Sequence, residues 1–229
     1  MSRPSSLPLR SWYAALALIA SAAALQAIVW PRWPRVAPLR PAAIETALRQ
    51  AGWPVKLSTA QPGRGGYEIS TSPLLSATLP GTGERLSLVA AAVRQRDSFQ
   101  LAFISRDLPG LALRRRQLNA SPPATASGRL KAGLARQSCL VPGVPGPAAF
   151  AVSLEDLNAA ADRRNAGGRR RQLLRLAGLL PHRPSDCVLI SLQAAAGRPL
   201  PDAGRWQLLL RRLQPALQAA QAQPGSGRR

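Results

Sequence analysis

The sequence predicts an α+β protein in which one N-terminal transmembrane helix precedes a small mixed-sheet domain with flanking helices. Three observations predict this class. An uncharged apolar run occupies residues 13–30, strand-like segments separated by Pro- and Gly-rich turns come next, and helical segments then enter without a regular βαβ alternation. The 229 residues leave room for one ordinary domain after the apolar run. We therefore expect a single folded unit beyond the helix.

The apolar run from Tyr13 to Trp30 contains 18 residues, of which only Ser21 and Gln26 are clearly polar. As a helix, a run of this length spans about 27 Å, which is close to the thickness of the hydrocarbon core of a bilayer. Aromatic residues stand at both ends, where amphipathic rings settle at the membrane interfaces. Residues 13–30 are therefore predicted to be a transmembrane anchor.

A cleaved signal peptide is the alternative interpretation of this segment. Arg3 and Arg10 supply a positive n-region, and residues 22–24 form a small-residue cleavage site. The apolar run continues past that site to Trp30, which favours an anchor that stays attached. Long domains are translocated with little regard to charge. We therefore expect a single-pass protein of the inner (plasma) membrane, with residues 1–12 cytoplasmic and the carboxy-terminal domain on the periplasmic side.

Composition divides the rest of the chain into a linker, a domain and a tail. Four prolines and three arginines in residues 31–41 predict a stiff basic linker. A soluble α+β domain is predicted over residues 42–223, and residues 224–229 are expected to be disordered. Strands are predicted at 55–59, 67–71, 85–93, 99–105, 138–142, 148–153 and 186–192, and helices at 42–52, 169–180 and 205–223.

Two local signals complete this assignment. Ser153 with Asp156 three residues later is a capping-box pattern, which predicts that a helix begins there. Residues 120–130 are rich in Ser, Pro and Ala, and we expect them to form a loop between the two halves of the domain.

The net charge of +21 initially suggests a nucleic-acid-binding protein. The arginines, however, are dispersed through every segment and are not interleaved with the aromatic rings on which bases stack, so nucleic acid is not the expected partner. The densest cluster is expected either to bind an anionic polymer or lipid head groups, or to be a solvated helix face with no binding role. The cluster consists of Arg163, Arg164, Arg169, Arg170, Arg171 and Arg175.

The cysteines and the histidine are the remaining candidates for chemistry. Cys139 and Cys187 each open a predicted strand, so a disulfide between neighbouring strands is accessible, with two unpaired buried thiols as the alternative. His182 is the only histidine, and it lacks the additional residues that a zinc site or a supported Cys-His dyad requires. Nucleotide-binding glycine motifs are absent from the sequence. We therefore expect no catalytic residue, no metal and no cofactor, and a protein that is not an enzyme.

Motifs in the second half resemble a known family. SCLVPGVPG at 138–146 is followed by an Arg-rich stretch and then by LLRLAGLLPHRPSDCVLISL at 173–192. In this order they resemble the cyanoexosortase system-associated proteins, the accessory proteins of cyanobacterial exosortases. Cys139 matches a Cys-x-x-Pro-like segment of that family, and Cys187 matches a segment that leads into a strand. Ile190 stands where the family tends to have an aromatic residue, and the tryptophan expected at the helix end is absent.

The resemblance implies a function for the chain. It implies a membrane-anchored, non-enzymatic accessory protein of a bacterial exosortase-type protein-sorting or exopolysaccharide system. An integral-membrane exosortase or its substrates would then be the partners, and no catalytic residues are carried over. The alternative hypotheses are a binding module for anionic envelope polymers or lipids, and a Cys-dependent enzyme that pairs Cys139 or Cys187 with His182.

Overall fold

The computed structural model describes residues 9–29, 36, 38–61, 69–93, 108, 110–165 and 185–221. The chain divides into two compact units. Of the described residues, 9–29 and 165 belong to the smaller unit, and the others belong to the larger one. The first helix of the chain belongs to the smaller unit, and all the strands belong to the larger one.

The described residues contain four α-helices, one short 3-10 helix (Pro147–Ala149) and nine strands. The helices are α1 (Leu9–Val29), α2 (Pro41–Gln50), α3 (Leu154–Asn165) and α4 (Ala203–Gln221). The strands are β1 (Ser58–Ala60), β2 (Ile69–Thr71), β3 (Leu74–Thr78), β4 (Arg85–Val93), β5 (Arg114–Asn119), β6 (Thr125–Leu130), β7 (Gly133–Leu140), β8 (Phe150–Ala151) and β9 (Ser185–Gln193).

These nine strands form one sheet in the order β1-β3-β4-β9-β7-β6-β5, with β2 also pairing with β4 and β8 with β7. Every pairing is antiparallel. The predicted α+β class is confirmed, whereas the prediction of a small mixed sheet is wrong. Short turns join β3 to β4 and β6 to β7, and a short turn connects only antiparallel neighbours.

The three central strands, β4, β9 and β7, separate two faces of the sheet. Leu88 is paired with Ile190 on one face, and Val89 is paired with Leu189 on the other, and all four side chains are fully buried. We call the first the helix face, because α4 lies on this side of the sheet. Its Trp206 donates a hydrogen bond there to Thr125 of β6. We call the second the disulfide face, because both cysteines project from it.

Helix α2 begins one residue before and ends two residues before the helix predicted at 42–52. Its first residue is Pro41, whose missing N–H would have no partner inside the helix in any case. At the other end Gly52 has a φ of +82°, in the left-handed region that glycine adopts at little cost. Its N–H donates to the carbonyl of Arg49 over 3.0 Å, and that of Trp53 donates to the carbonyl of Leu48 over 2.9 Å. These two bonds satisfy carbonyls that the end of the helix would leave unpaired.

The capping box at the start of α3 is also confirmed. The N–H of Asp156 donates to Oγ of Ser153 over 3.1 Å, and Oδ2 of Asp156 accepts from the N–H groups of Ser153 and Val152 over 3.2 and 3.1 Å. The reciprocal bonds fix the point at which the chain leaves β8 and enters the helix.

Replacing Asp156 with Ala is expected to lower the free energy of unfolding by about 1 kcal/mol, because two backbone N–H groups lose their acceptor. Glu155 is the matched control, since it is an exposed acidic residue in the same helical turn. Glu155→Ala should therefore change the stability by less than about 0.5 kcal/mol. Urea unfolding of both variants measures the difference, and equal effects would contradict the capping role.

Several predicted elements need correction. Residues 120–130 are not a loop throughout, because Thr125–Leu130 is the strand β6, held by its pairing with β7. Cys139 does not open a strand: β7 begins at Gly133, and its polar residues hid that start from the sequence pattern. The strand predicted at 99–105, the helix predicted at 169–180 and the tail at 224–229 lie outside the described residues.

Helix α1 exposes large apolar side chains. Trp12, Leu18 and Ile19 are 63%, 72% and 66% exposed. Over the residues that the structure describes, no helix meets the length and apolarity needed to cross a membrane. The anchor predicted at residues 13–30 therefore stays a prediction.

Candidate functional site

The structure describes only part of the arginine cluster singled out in the sequence. Arg163 is exposed on α3, and its Nη1 donates to the carbonyl of Ala148 over 3.2 Å. Arg164 also lies in α3, but its side chain is not among those that the structure describes. The rest of the cluster lies outside the described residues, namely Arg169, Arg170, Arg171 and Arg175. His182 does so as well.

Cys139 and Cys187 are joined by a disulfide, with their Cα atoms 5.5 Å apart. Strand β9 lies directly beside β7, and Cys139 is paired there with Leu189, so Cys187 is its diagonal neighbour on the same face. Both cysteines are completely buried. Because each thiol is consumed in the bridge, neither is available as a nucleophile or a metal ligand in this state.

A row of polar residues crosses the disulfide face next to the bridge. Pairing places Ser58 beside Ser76, Ser76 beside Ser87, Ser87 beside Ser191, and Ser191 beside Gln137. Nε2 of Gln137 donates to the carbonyl of Leu111 over 2.8 Å and to Oγ of Ser191 over 3.1 Å.

The side-chain amide of Gln137 is fully buried, and its orientation is fixed. The carbonyl of Leu111 can only accept, so the nitrogen of the amide must face it. Within the described part of the chain the opposite atom, Oε1, has no hydrogen-bond partner. The row is thus a hydrogen-bonding element that specifies how the segment around Leu111 sits on the disulfide face.

A second polar feature, which the sequence did not reveal, lies where β5 begins and β6 ends. Arg114 on β5 is paired directly with Arg129 on β6, and both are exposed. Arg115 follows Arg114 directly, Lys131 lies two residues after Arg129, and both are exposed. We call these four residues the basic corner. Among the described residues, none of the four makes an ion pair with an acidic side chain.

A β-bulge shapes the basic corner. Arg115 and Arg116 together oppose the single residue Gly128, since the register shifts between Arg114 and Gln117. Arg115 has a φ of +48°, a left-handed conformation that is costly for a residue with a side chain. A Cβ on Gly128 would lie 3.0 Å from the carbonyl oxygen of Arg114 and 3.3 Å from Cα of Arg116. Only glycine lets the bulged strand approach this closely.

Arg136 adds a third guanidinium group to the helix face near this corner. Its Nε donates to the carbonyl of Pro201 over 2.6 Å, and its Nη1 donates to Oγ of Ser127 over 3.2 Å. Burial lowers the pKa of Arg136, and the carboxylate of Asp202 acts in the opposite direction. That carboxylate also accepts from the N–H of Arg205, over 2.8 Å, at the start of α4. Arg136 therefore shares the negative charge of Asp202 with the cap of α4.

The structure brings the two cysteines together and creates a cationic corner that no sequence motif marks. Within the residues that the structure describes, no group of His, Cys, Asp and Glu side chains has the arrangement of a metal site. In comparisons with known proteins, the chain matches no protein-family model, no characterised protein and no solved structure.

Proposed function

We propose that this chain is a membrane-tethered, non-enzymatic accessory protein of a bacterial exosortase-type protein-sorting or exopolysaccharide system. Its α+β domain would lie on the periplasmic side of the inner membrane. The accessory role is supported by the resemblance of residues 138–146 and 173–192 to that family of proteins.

The observation that carries the tether is the exposed apolar surface of α1. Leu16, Leu18 and Ile19 are 57%, 72% and 66% exposed, and they occupy different sides of one helical turn. Helix α1 has no acidic residue in its first turn and no basic residue in its last. Contiguous apolar surface of this kind marks a membrane or protein contact site, and the uncharged run at 13–30 favours the membrane.

The disulfide supports the side of the membrane on which the domain is placed. Disulfides persist in oxidising compartments such as the bacterial periplasm and are rare in the cytosol. The bridge between Cys139 and Cys187 is buried in the centre of the sheet, where it can only form as the domain folds. Folding in an oxidising compartment is therefore consistent with the periplasmic placement.

Membrane fractionation of the full chain tests the tether. The wild-type protein is expected to stay in the membrane pellet after carbonate extraction, whereas Leu18→Arg combined with Ile19→Arg should move it to the soluble fraction. Each central arginine opposes insertion by about 2.5–3.5 kcal/mol on the insertion scale. Leu208→Arg is the matched control, because Leu208 is an exposed leucine on α4 that is 45% accessible. Release of the wild-type protein by carbonate would overturn the tether.

The accessory role needs a separate measurement. Affinity purification from native membranes, after cross-linking, is expected to recover the integral-membrane exosortase or one of its substrates with the full chain. A variant in which the α1 segment is replaced by an unrelated membrane helix should recover the same partner if the domain makes the contact. Absence of any sorting component from both preparations would contradict the proposed role while leaving the tether intact.

Binding of anionic envelope polymers or lipids is the second candidate function. The sequence predicted it from the cluster around Arg163, whose side chain is exposed. The exposed arginines of β5 and β6 favour it as well, because Arg114 and Arg129 face each other without an acidic partner among the described residues.

A further inference from the structure

We propose that the basic corner, formed by Arg114, Arg115, Arg129 and Lys131, is a binding surface for a linear polyanion that carries repeated carboxylate or phosphate groups and no nucleobases. This inference rests on the second candidate function and makes it specific in site and ligand class. It does not depend on the tether or on the accessory role.

The sheet places two like charges of the basic corner directly opposite one another. Arg114 and Arg129 are cross-strand partners, so both guanidinium groups project from the helix face. Like charges placed directly opposite one another destabilise a sheet. An anionic group between the two would turn this repulsion into attraction, and each planar guanidinium can bind a carboxylate or phosphate through two hydrogen bonds.

Arg136 adds a further positive charge beside the basic corner. Ser127 lies two residues before Arg129 on the same strand, and its hydroxyl accepts a hydrogen bond from Arg136, so this guanidinium is held beside the corner. Arg136 is half-buried, which lowers its pKa, and the carboxylate of Asp202, which raises that pKa, also caps α4. The positive potential of the corner is therefore incompletely compensated by the described part of the protein.

The bulge distinguishes anion binding from the addition of another strand. Strand β5 ends the order of the described strands, and a flat edge strand invites pairing with an extended peptide. The bulge at Arg115 and the charged side chains of β5 oppose such pairing, because they disturb the backbone hydrogen bonds that a new strand would need. Side chains rather than backbone groups are thus the means of recognition at this edge.

The arrangement of the cations favours a chain over a flat bilayer or a nucleic acid. Arg129 projects from the helix face, Arg115 lies in the bulge, and Lys131 lies in the turn after β6, so the charges surround the corner instead of sharing a plane. A flexible polymer can contact all of these charges, whereas a flat membrane surface can contact only some of them. The corner has no aromatic residue on which a base would stack.

The test is a binding titration of the full chain, in uncharged detergent, with polygalacturonate as the linear polycarboxylate and dextran as the neutral control. We expect salt-sensitive binding of polygalacturonate and none of dextran. Arg114→Gln combined with Arg129→Gln should weaken the binding by about 10-fold or more. The matched control is Arg49→Gln with Lys56→Gln, which removes two exposed charges near the opposite edge of the sheet and should change the affinity by less than about 2-fold.

Arg115→Asn keeps the proposal testable if the double variant folds poorly. Asparagine tolerates the left-handed conformation better than arginine, so the unfolding midpoint is expected to stay or rise while polygalacturonate binding weakens. If Arg115 had only a structural role, its replacement would not weaken the binding while leaving the unfolding midpoint unchanged or raised.

Other results would overturn the inference in different ways. Equal weakening by the corner and control variants would reject the corner as the site while leaving polyanion binding in place. Preference for phosphatidylglycerol vesicles, or for single-stranded oligothymidylate, over polygalacturonate would reject the ligand class. No binding of any anion would remove the second candidate function together with this inference.

Discussion

Replacing Cys139 and Cys187 together by Ala is expected to lower the free energy of unfolding by about 2–5 kcal/mol. The bridge spans a sequence separation of 48 residues, and closing a loop of that length is worth about 4 kcal/mol in the chain-entropy model. The loss should be large because the bridge joins β7 to β9, two of the three central strands of the sheet.

Urea unfolding with and without a reductant measures this contribution. Reduction should bring the wild-type protein close to the stability of the double variant, and the double variant itself should not respond to reductant. Alkylation of the denatured, unreduced protein from its native membrane gives an independent reading, with no thiol expected to be labelled. Two labelled thiols would instead show that the bridge does not form in the cell.

Trp206→Ala is expected to lower the free energy of unfolding by about 3–5 kcal/mol. Trp206 is 1% exposed and is among the largest fully buried side chains. Its Nε1 donates to Oγ1 of Thr125 over 3.0 Å, and that hydroxyl donates in turn to the carbonyl of Pro123 over 3.0 Å. The substitution therefore removes both the packing of α4 against the sheet and one end of a buried hydrogen-bond chain.

Two further variants separate these contributions. Trp206→Phe keeps an aromatic ring in the core and should lose only about 1–2 kcal/mol, mostly from the missing hydrogen bond to Thr125. Leu208→Ala removes an exposed side chain from the same helix and should have an effect below about 0.5 kcal/mol. A Leu208 effect as large as that of Trp206 would contradict the packing of Trp206 on the sheet as the cause of the loss.

Elements with a strong local pattern were predictable from the sequence. Strand β4 has its predicted bounds, Arg85–Val93, because a run of aliphatic residues follows a Pro- and Gly-rich turn. Strand β9 and helix α4 extend close to their predicted limits for similar reasons. In each of these segments, the pattern of apolar and polar residues along the chain predicts which side chains are buried.

Three strands, β3, β5 and β6, escaped prediction, and the last two are held by pairing with neighbouring strands instead of being marked by an apolar pattern. In β5 the residues RRRQLN are exposed or only half-buried, so they show no apolar alternation, and the strand exists through its bonds to β6. In β6 the residues TASGRL have the composition of a loop, yet the strand is held between β5 and β7. Tertiary context overrides local preference in both cases.

The features of the candidate site also differ in how far the sequence reveals them. The two cysteines were visible in the sequence, but their pairing depends on β9 lying beside β7, which no local pattern encodes. The basic corner was hidden because the chain has 31 basic residues spread throughout its length. Arg114 and Arg129 differ from the others only through their register, which is a property of the folded sheet.

The position of β9 determines when the domain can be completed during synthesis. Strand β9 is made long after β4 and β7, yet it separates them in the sheet. A chain that has been made only as far as residue 184 thus has β4 and β7 without their common neighbour, and each keeps a row of unpaired backbone groups. Because long-range pairing of this kind is slow, the emerging chain must be protected from aggregation until β9 enters between them.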